Sequence, residues 1–172
     1  LKEAGNLYIS VIGHSLGGAS DAELAYAVGE EIARRGHVLV CGGLGGVMEA
    51  ASRGARDAGG VAVGILPGAD RSKANRWLSV SIPTDMGHAR NAIVALSGDA
   101  IIAICGGYGT LSEIAFGLKM GKPVIGLESW DLGECLQESA RIVRAKTPRD
   151  AVDLAEESGS ARPQYRPDRG VD

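Results

Sequence analysis

Cys41-Gly42-Gly43-Leu44-Gly45-Gly46-Val47-Met48-Glu49-Ala50-Ala51 is answered later in the chain by Cys105-Gly106-Gly107-Tyr108-Gly109-Thr110-Leu111-Ser112-Glu113-Ile114-Ala115. Each stretch follows an apolar run, Val38 to Val40 and Ile101 to Ile104, and each opens a helical pattern. A strand, a glycine turn and a helix leave the first backbone N–H groups of the helix facing a ligand. The glycines remove the Cβ atoms that would hold a phosphate away. A chain that builds this device twice is expected to hold an anion between the two copies. Gly42, Gly43, Gly45 and Gly46 form one candidate cradle, and Gly106, Gly107, Tyr108, Gly109 and Thr110 the other. Gly13 and His14, just past an earlier apolar run, are candidates to line the same pocket.

The segment Thr110-Leu111-Ser112-Glu113 has two readings. A threonine followed three residues later by a glutamate is the capping box, in which both side chains satisfy backbone N–H groups at a helix start. The same carboxylate, set among glycines, a hydroxyl and an arginine at one sheet edge, is also a candidate catalytic group. Glu49 has the matching place in the first copy, but Gly46 stands where Thr110 does, so Glu49 reads as structural. Arg90 follows an apolar run in Asp85-Met86-Gly87-His88-Ala89-Arg90-Asn91. A guanidinium can fork onto a phosphate. As a mere surface group near a helix start it would oppose the helix dipole, so Arg90 is assigned to the ligand with Glu113. His88 reads either as a helix-cap histidine or as a ligand group, Asn91 joins the ligand set, and His37 reads as structural. The loop Asp70 to Arg76, with Arg71, Lys73 and Arg76, reads as a solvated loop or as a mobile anion lid.

Other chemistries do not fit. The dinucleotide fingerprint needs glycine at its first, third and sixth positions; counted from Gly43 the sixth is Met48, and from Gly107 it is Ser112. In Gly121-Lys122-Pro123, proline replaces the Ser or Thr of a magnesium-nucleotide loop. The three histidines and three cysteines lack metal-ligand spacing, so no metal is expected. A net charge of −3 argues against a nucleic-acid partner. No apolar run approaches the roughly 20 residues that span a bilayer, and the first residues carry no basic-then-apolar signal, so the expectation is a cytoplasmic protein without a membrane partner. Cys41 and Cys105 end buried apolar runs and read as reduced thiols.

The elements that must position these groups alternate. Tyr8–Gly13, His37–Cys41, Val61–Leu66, Leu78–Ile82, Ala100–Cys105 and Pro123–Leu127 read as strands. Helices are expected from Ser20-Asp21 to Gly36, over Gly46–Ala58, Ala89–Leu96 and Thr110–Met120, and from Thr147-Pro148 through Glu157. Leu136–Arg144 is amphipathic and ambiguous. Short apolar strands spaced by helices specify a doubly wound, Rossmann-like α/β domain: one parallel sheet with helices on both faces. Residues 1–158 form that single domain, and residues 159–172, rich in Gly, Pro, Arg and Asp, are expected to be a flexible tail.

With these residues in view, the chain resembles the Lonely Guy family over roughly residues 7 to 157. The family pattern Pro-Gly-Gly-x-Gly-Thr-x-x-Glu is matched by Gly106 to Glu113, with Cys105 in place of the proline. The family's Met-His-Glu-Arg-Lys is matched by Gly87-His88-Ala89-Arg90-Asn91, which keeps His and Arg. The resemblance implies a cytosolic homodimer or higher homo-oligomer that splits a cytokinin nucleoside 5′-monophosphate into free base and ribose 5-phosphate, with Glu113 and Arg90 as the catalytic pair. Cys105, Asn91 and the Ile93-Val94 helix look more like a sister branch that includes molybdenum cofactor carrier proteins. That branch implies binding of a phosphorylated pterin without hydrolysis. No cofactor is required on either reading: the molybdopterin-type pterin or the nucleoside monophosphate is itself the ligand. Nothing points to the pyridoxal phosphate site that the family's older label, lysine decarboxylase, would need.

Overall fold

The computed structural model describes residues 5–133 and 142–160. Among these residues, seven strands and five α-helices follow one another along the chain. They are β1 (Tyr8–Ile12), α1 (Ala19–Arg34), β2 (Val38–Cys41), α2 (Val47–Asp57), β3 (Val61–Leu66), β4 (Val80–Pro83), α3 (Asn91–Ser97), β5 (Ala100–Ile104), α4 (Tyr108–Lys119), β6 (Val124–Leu127), β7 (Ile142–Ala145) and α5 (Pro148–Ser160). Single 3₁₀ turns occupy Arg71–Lys73 and Gly87–Arg90.

The inner strands are apolar on both faces because both faces are covered. In β5 every residue is buried: Ile102 and Ile104 enter one core layer with α1, α2 and α5, and Ile101 and Ala103 enter the other with α3 and α4. This is the two-residue alternation of a pleated strand serving two cores. All pairings are parallel, in the order β4-β3-β2-β1-β5-β6-β7. The chain therefore builds outward from β1 to β4, then returns to β1's other side with β5. The strand ends part there, and ligands of open α/β sheets lie in that crevice.

α1 and α2 pack almost backbone to backbone. A Cβ at Gly29 would lie 2.0 Å from the carbonyl oxygen of Ala51, and one at Gly54 would lie 2.0 Å from that of Tyr26. At the far end of the sheet, α5 is clamped by ions. Arg35 reaches Asp153 at 2.6 Å and Glu156 at 2.7 Å, besides Glu31 within its own helix. Burial alone would lower its pKa, yet these carboxylates hold the guanidinium above its ordinary value. His37 accepts the Leu7 N–H on Nδ1 at 3.2 Å, which leaves Nε2–H to donate to Glu156 at 2.7 Å. The structural reading of His37 fits this arrangement.

The structure corrects several boundaries. The fourth strand begins at Val80 rather than Leu78, because the preceding loop is held down by side chains described below. α3 begins at Asn91, after a 3₁₀ turn that replaces its expected first residues. A seventh strand follows β6: Ile142–Ala145 pairs with Val124–Leu127. Residues 136–141 of the ambiguous segment lie outside the described residues, as do residues 161–172 of the expected tail. α5 itself runs through Ser160. Among the described residues, no helix is long and apolar enough to cross a membrane.

Candidate functional site

Arg90 ends the 3₁₀ turn before α3, and the turn is anchored to the end of β3 by Gly87 N–H donating to the Pro67 carbonyl at 2.8 Å. Its side chain runs inward over the first glycine turn. A Cβ at Gly42 would stand 2.4 Å from Nη1 and 2.6 Å from Nη2, so only glycine there lets the guanidinium pass. Nη1 lies 3.5 Å from Glu113 Oε1, and each of the two side chains is 8% exposed. Nε and Nη1 of Arg90 are buried without a hydrogen-bond partner, and so is the hydroxyl of Thr110.

The capping-box reading of Thr110 and Glu113 is thereby overturned. α4 begins two residues earlier, with Gly107 at its N-cap, so Thr110 is already inside the first turn. Its hydroxyl makes no capping bond and is buried. Glu113 lies on the buried side of α4, facing Arg90. Burial raises the Glu113 carboxyl to about 7, with Arg90 pulling the other way. Burial also lowers the Arg90 pKa, which Glu113 partly opposes. A buried polar atom without a partner costs about 1–3 kcal/mol, and a native protein keeps such groups for a reason. Here one guanidinium, one hydroxyl and one carboxyl converge at a single sheet edge.

The two glycine turns meet at this place. Gly13, at the end of β1, is wedged between them: a Cβ there would lie 2.5 Å from Val47 Cγ1 and 2.8 Å from the Ile104 carbonyl oxygen. In the first turn Gly46 has φ +63° and abuts the His14 carbonyl, which accepts the Val47 N–H at 3.2 Å. Gly43 packs outward, with its would-be Cβ 3.2 Å from Gly64 Cα on β3, while Gly45 is held loosely, 3.6 Å from the Ser15 oxygen. In the second turn Gly106, at φ +128°, lies against the Thr110 side chain, and Gly107 and Gly109 border open space. Tyr108 stands 86% exposed beside them.

The remaining sequence candidates divide. Asn91 donates to Ser112 Oγ at 2.9 Å, and Ser112 donates to the Gly109 carbonyl at 2.6 Å, so Asn91 braces the second turn. His88 is exposed, and its ring makes no hydrogen bond among the described residues. His14 Nε2 lies 3.1 Å from Asp21 Oδ2.

Asp21 was missed by the sequence reading except as a helix cap. It also accepts the Gly18 N–H at 3.2 Å and the Cys105 thiol at 3.3 Å. It thus ties the loop after β1 to the second glycine turn, which enters through Cys105 at φ +49°. The bond from the Cys105 thiol is the largest influence holding the Asp21 carboxyl below its ordinary value. Burial and that same bond push the thiol up to about 11, so it remains protonated. The one local signal for Asp21 was an acid in the first turn of a helix; its partner Cys105 is far away in sequence. Among the described residues no group of His, Cys, Asp and Glu is placed to hold a metal ion.

The pattern of the SLOG cluster4 family matches residues 6–155, nearly all that the structure describes. The chain belongs to the SLOG cluster4 family. An uncharacterized protein of Archaeoglobus fulgidus is 47% identical over 146 residues, covering 85% of this chain and 92% of that one. The cytokinin riboside 5′-monophosphate phosphoribohydrolase of Mycobacterium tuberculosis is 37% identical over 118 residues, 63% of each chain. A probable enzyme of the same name from rice is 36% identical over 99 residues, 56% of this chain, and the match spans only 40% of its length. The molybdenum cofactor binding protein of Rippkaea orientalis superposes with a TM-score of 0.81 at 36% identity, covering 89% of this chain and 97% of that one. The Moco carrier protein of Chlamydomonas reinhardtii gives 0.80 at 31%, with the same coverage. DNA processing protein A of Streptococcus pneumoniae, at 18% identity and a TM-score of 0.68, shares the fold alone. The Rossmann-like, Lonely Guy-related architecture expected from the sequence is the one found, and SLOG cluster4 membership places this chain among such proteins.

Proposed function

We propose that this SLOG cluster4 protein binds a phosphorylated ligand bearing a flat heterocycle, a nucleotide or a pterin, at the carboxyl edge between β1, β2 and β5, in the manner of a molybdenum cofactor carrier. One observation carries the reading: Arg90 Nε and Nη1 and Thr110 Oγ1 are buried and unpartnered at the mouth of two glycine turns. A phosphate supplies acceptors for all three, and the open backbone at Gly107 and Gly109 gives it room. Gly106 and Gly42 allow the close approach, and Asn91 and Asp21 hold the turns still. Tyr108 offers an exposed ring to a flat heterocycle. The ligand enters and leaves as cargo; none of these residues has to change it.

The carrier reading is supported over hydrolysis by the extent of the likeness to the Rippkaea and Chlamydomonas proteins and by Cys105. At φ +49° that position cannot be proline, so this turn departs from the Pro-Gly-Gly pattern of the Lonely Guy family. A second reading, a nucleoside 5′-monophosphate phosphoribohydrolase, is favoured by Glu113, a buried carboxyl raised to about 7 beside Arg90. Such a group can stabilise positive charge growing on a ribose ring or exchange a proton with water.

Chromatography of reactions with a panel of nucleoside 5′-monophosphates, run beside Glu113→Gln, separates the two readings. The carrier reading expects no free base from either protein. Free base from the native protein alone would make the phosphoribohydrolase reading correct.

A further inference from the structure

A groove of about 560 Å³ opens beside the first glycine turn, with Gly46 in its lining and neither Arg90 nor Glu113 among the residues that line it. Its walls are the N-terminal halves of α1 and α2 and the loop between β3 and β4. Tyr26, Gly46, Glu49, Arg53, Arg76 and Trp77 are the residues that give it a chemical character. Its volume falls in the range of sites for small molecules and cofactors.

The two arginines are arranged around the rings. The Arg53 guanidinium lies 5.8 Å from the Tyr26 ring centre and 5.3 Å from that of Trp77, and it is steadied by Asp57 at 3.5 Å. Arg76 lies 4.7 Å from the Trp77 ring. It makes no ion pair or hydrogen bond among the described residues, so all its donors are free for an incoming anion. Stacking on a ring orients a guanidinium while leaving its edge available.

The loop carrying Arg76 and Trp77 is fastened to the glycine turn by one residue. Asn75 donates its backbone N–H to the Gly43 carbonyl at 2.9 Å and its side-chain amide to the Leu44 carbonyl at 3.1 Å, and its Oδ1 accepts the Trp77 N–H at 3.1 Å. The 70–76 segment, read from sequence as a solvated loop or a mobile lid, is therefore a fixed wall at its C-terminal end. A surface loop whose arginines served only solubility would not need two bonds to hold it against a glycine turn.

We propose that this groove is a second ligand site, distinct from the Arg90–Glu113 cleft, for an anionic planar ligand of nucleoside monophosphate size. The phosphate forks onto Arg76 and Arg53, the ring packs along Tyr26 and Trp77, and Glu49 accepts a hydroxyl or amino hydrogen. The first glycine turn is the wall the two sites share.

The test is fluorescence in a Trp130→Phe background, where Trp77 is the one remaining tryptophan. AMP and GMP are titrated beside adenosine and inorganic phosphate. The expected result is saturable quenching by a nucleotide, weakened at least tenfold in Arg76→Ala and in Arg53→Ala, with unchanged circular dichroism. Arg90→Ala, which removes the phosphate donor of the other site, keeps the saturable response. No saturable signal from either nucleotide, or an unchanged one in Arg76→Ala, overturns the proposal. So does loss of the signal in Arg90→Ala, which would put the nucleotide in the cleft. Inorganic phosphate binding as tightly as AMP would also overturn the assignment to a planar ligand.

Discussion

Arg90 Nη1 and Glu113 Oε1 face each other across 3.5 Å, too far for a hydrogen bond, with both side chains nearly excluded from solvent. A carboxylate and a guanidinium that served only to neutralise one another would close to hydrogen-bond distance, as Arg35 does with Asp153 and Glu156. The gap, the unpartnered Nε and Nη1, and the idle hydroxyl of Thr110 are what the proposed phosphorylated ligand would satisfy.

Glu113 makes stability depend on pH in a specific direction. Its folded-state pKa, raised to about 7, lies above the ordinary 4.5, so the folded protein holds the proton longer than the unfolded chain does. The favourable contribution is full below about 4.5 and is lost as pH rises through about 7. The loss is on the order of 3 kcal/mol. Urea denaturation from pH 4.5 to 7.5 is expected to show this decline in the native protein and a flatter profile in Glu113→Gln. Parallel profiles for the two proteins would mean that the carboxyl is not so raised.

Gly42→Ala attacks the path of Arg90 rather than its charge. The new methyl would sit 2.4 Å from Nη1, so the guanidinium must leave its place over the first glycine turn. Binding of the phosphorylated ligand is expected to weaken at least tenfold, with a loss of stability of about 1–3 kcal/mol. Calorimetric titration beside a urea curve reads both. Unaltered affinity would dissociate Arg90 from the ligand.

Gly29→Ala examines the helix pair that carries the first turn. With Ala51 O only 2.0 Å from the added Cβ, α1 and α2 must separate. A destabilisation of about 2–3 kcal/mol is expected from overpacking against backbone. A thermal midpoint equal to that of the native protein would show that the two helices yield easily.

Cys105→Pro tests the departure from the Lonely Guy pattern. Proline fixes φ near −65° and has no N–H, whereas Cys105 sits at +49° and donates to the Leu127 carbonyl at 3.2 Å. The substitution should cost about 3 kcal/mol or more. Cys105→Ser, which keeps a donor for Asp21, should cost less than half as much. A neutral Cys105→Pro would mean that the turn can adopt the conformation of the Pro-Gly-Gly pattern.

Much of this was legible in the chain. β3 lies where its apolar run predicts, between Gly60 and Pro67, because punctuation and apolarity coincide there. β5 and α4 announce the second glycine turn in the same way. β7 was not legible: Ile142-Val143-Arg144-Ala145 is an edge strand, half exposed, and its identity comes from pairing with β6 rather than from its own composition. In the site, glycines and the Arg90–Glu113 pair could be read as candidates because their types are restrictive. The role of Thr110 could not be read, since a capping box and a buried ligand group share one local sequence. Asn75 and Asp21 escaped for a different reason. Each is an ordinary loop or helix-start residue until the fold brings Gly43, Leu44 or Cys105 beside it.

The central claim, a phosphate held by Arg90 and Thr110, is tested most directly by ligand retention. Native protein and Arg90→Ala, each also carrying Arg76→Ala so that the groove does not report, are incubated without oxygen with a molybdopterin-type pterin phosphate or with nucleoside 5′-monophosphates, then passed through a desalting column, and the co-eluting ligand is quantified. The same is done with the dephosphorylated compounds. The account predicts that the native protein retains a phosphorylated ligand, that Arg90→Ala loses it, and that the dephosphorylated form is not retained by either. Equal retention with and without the phosphate, or full retention by Arg90→Ala, would contradict it.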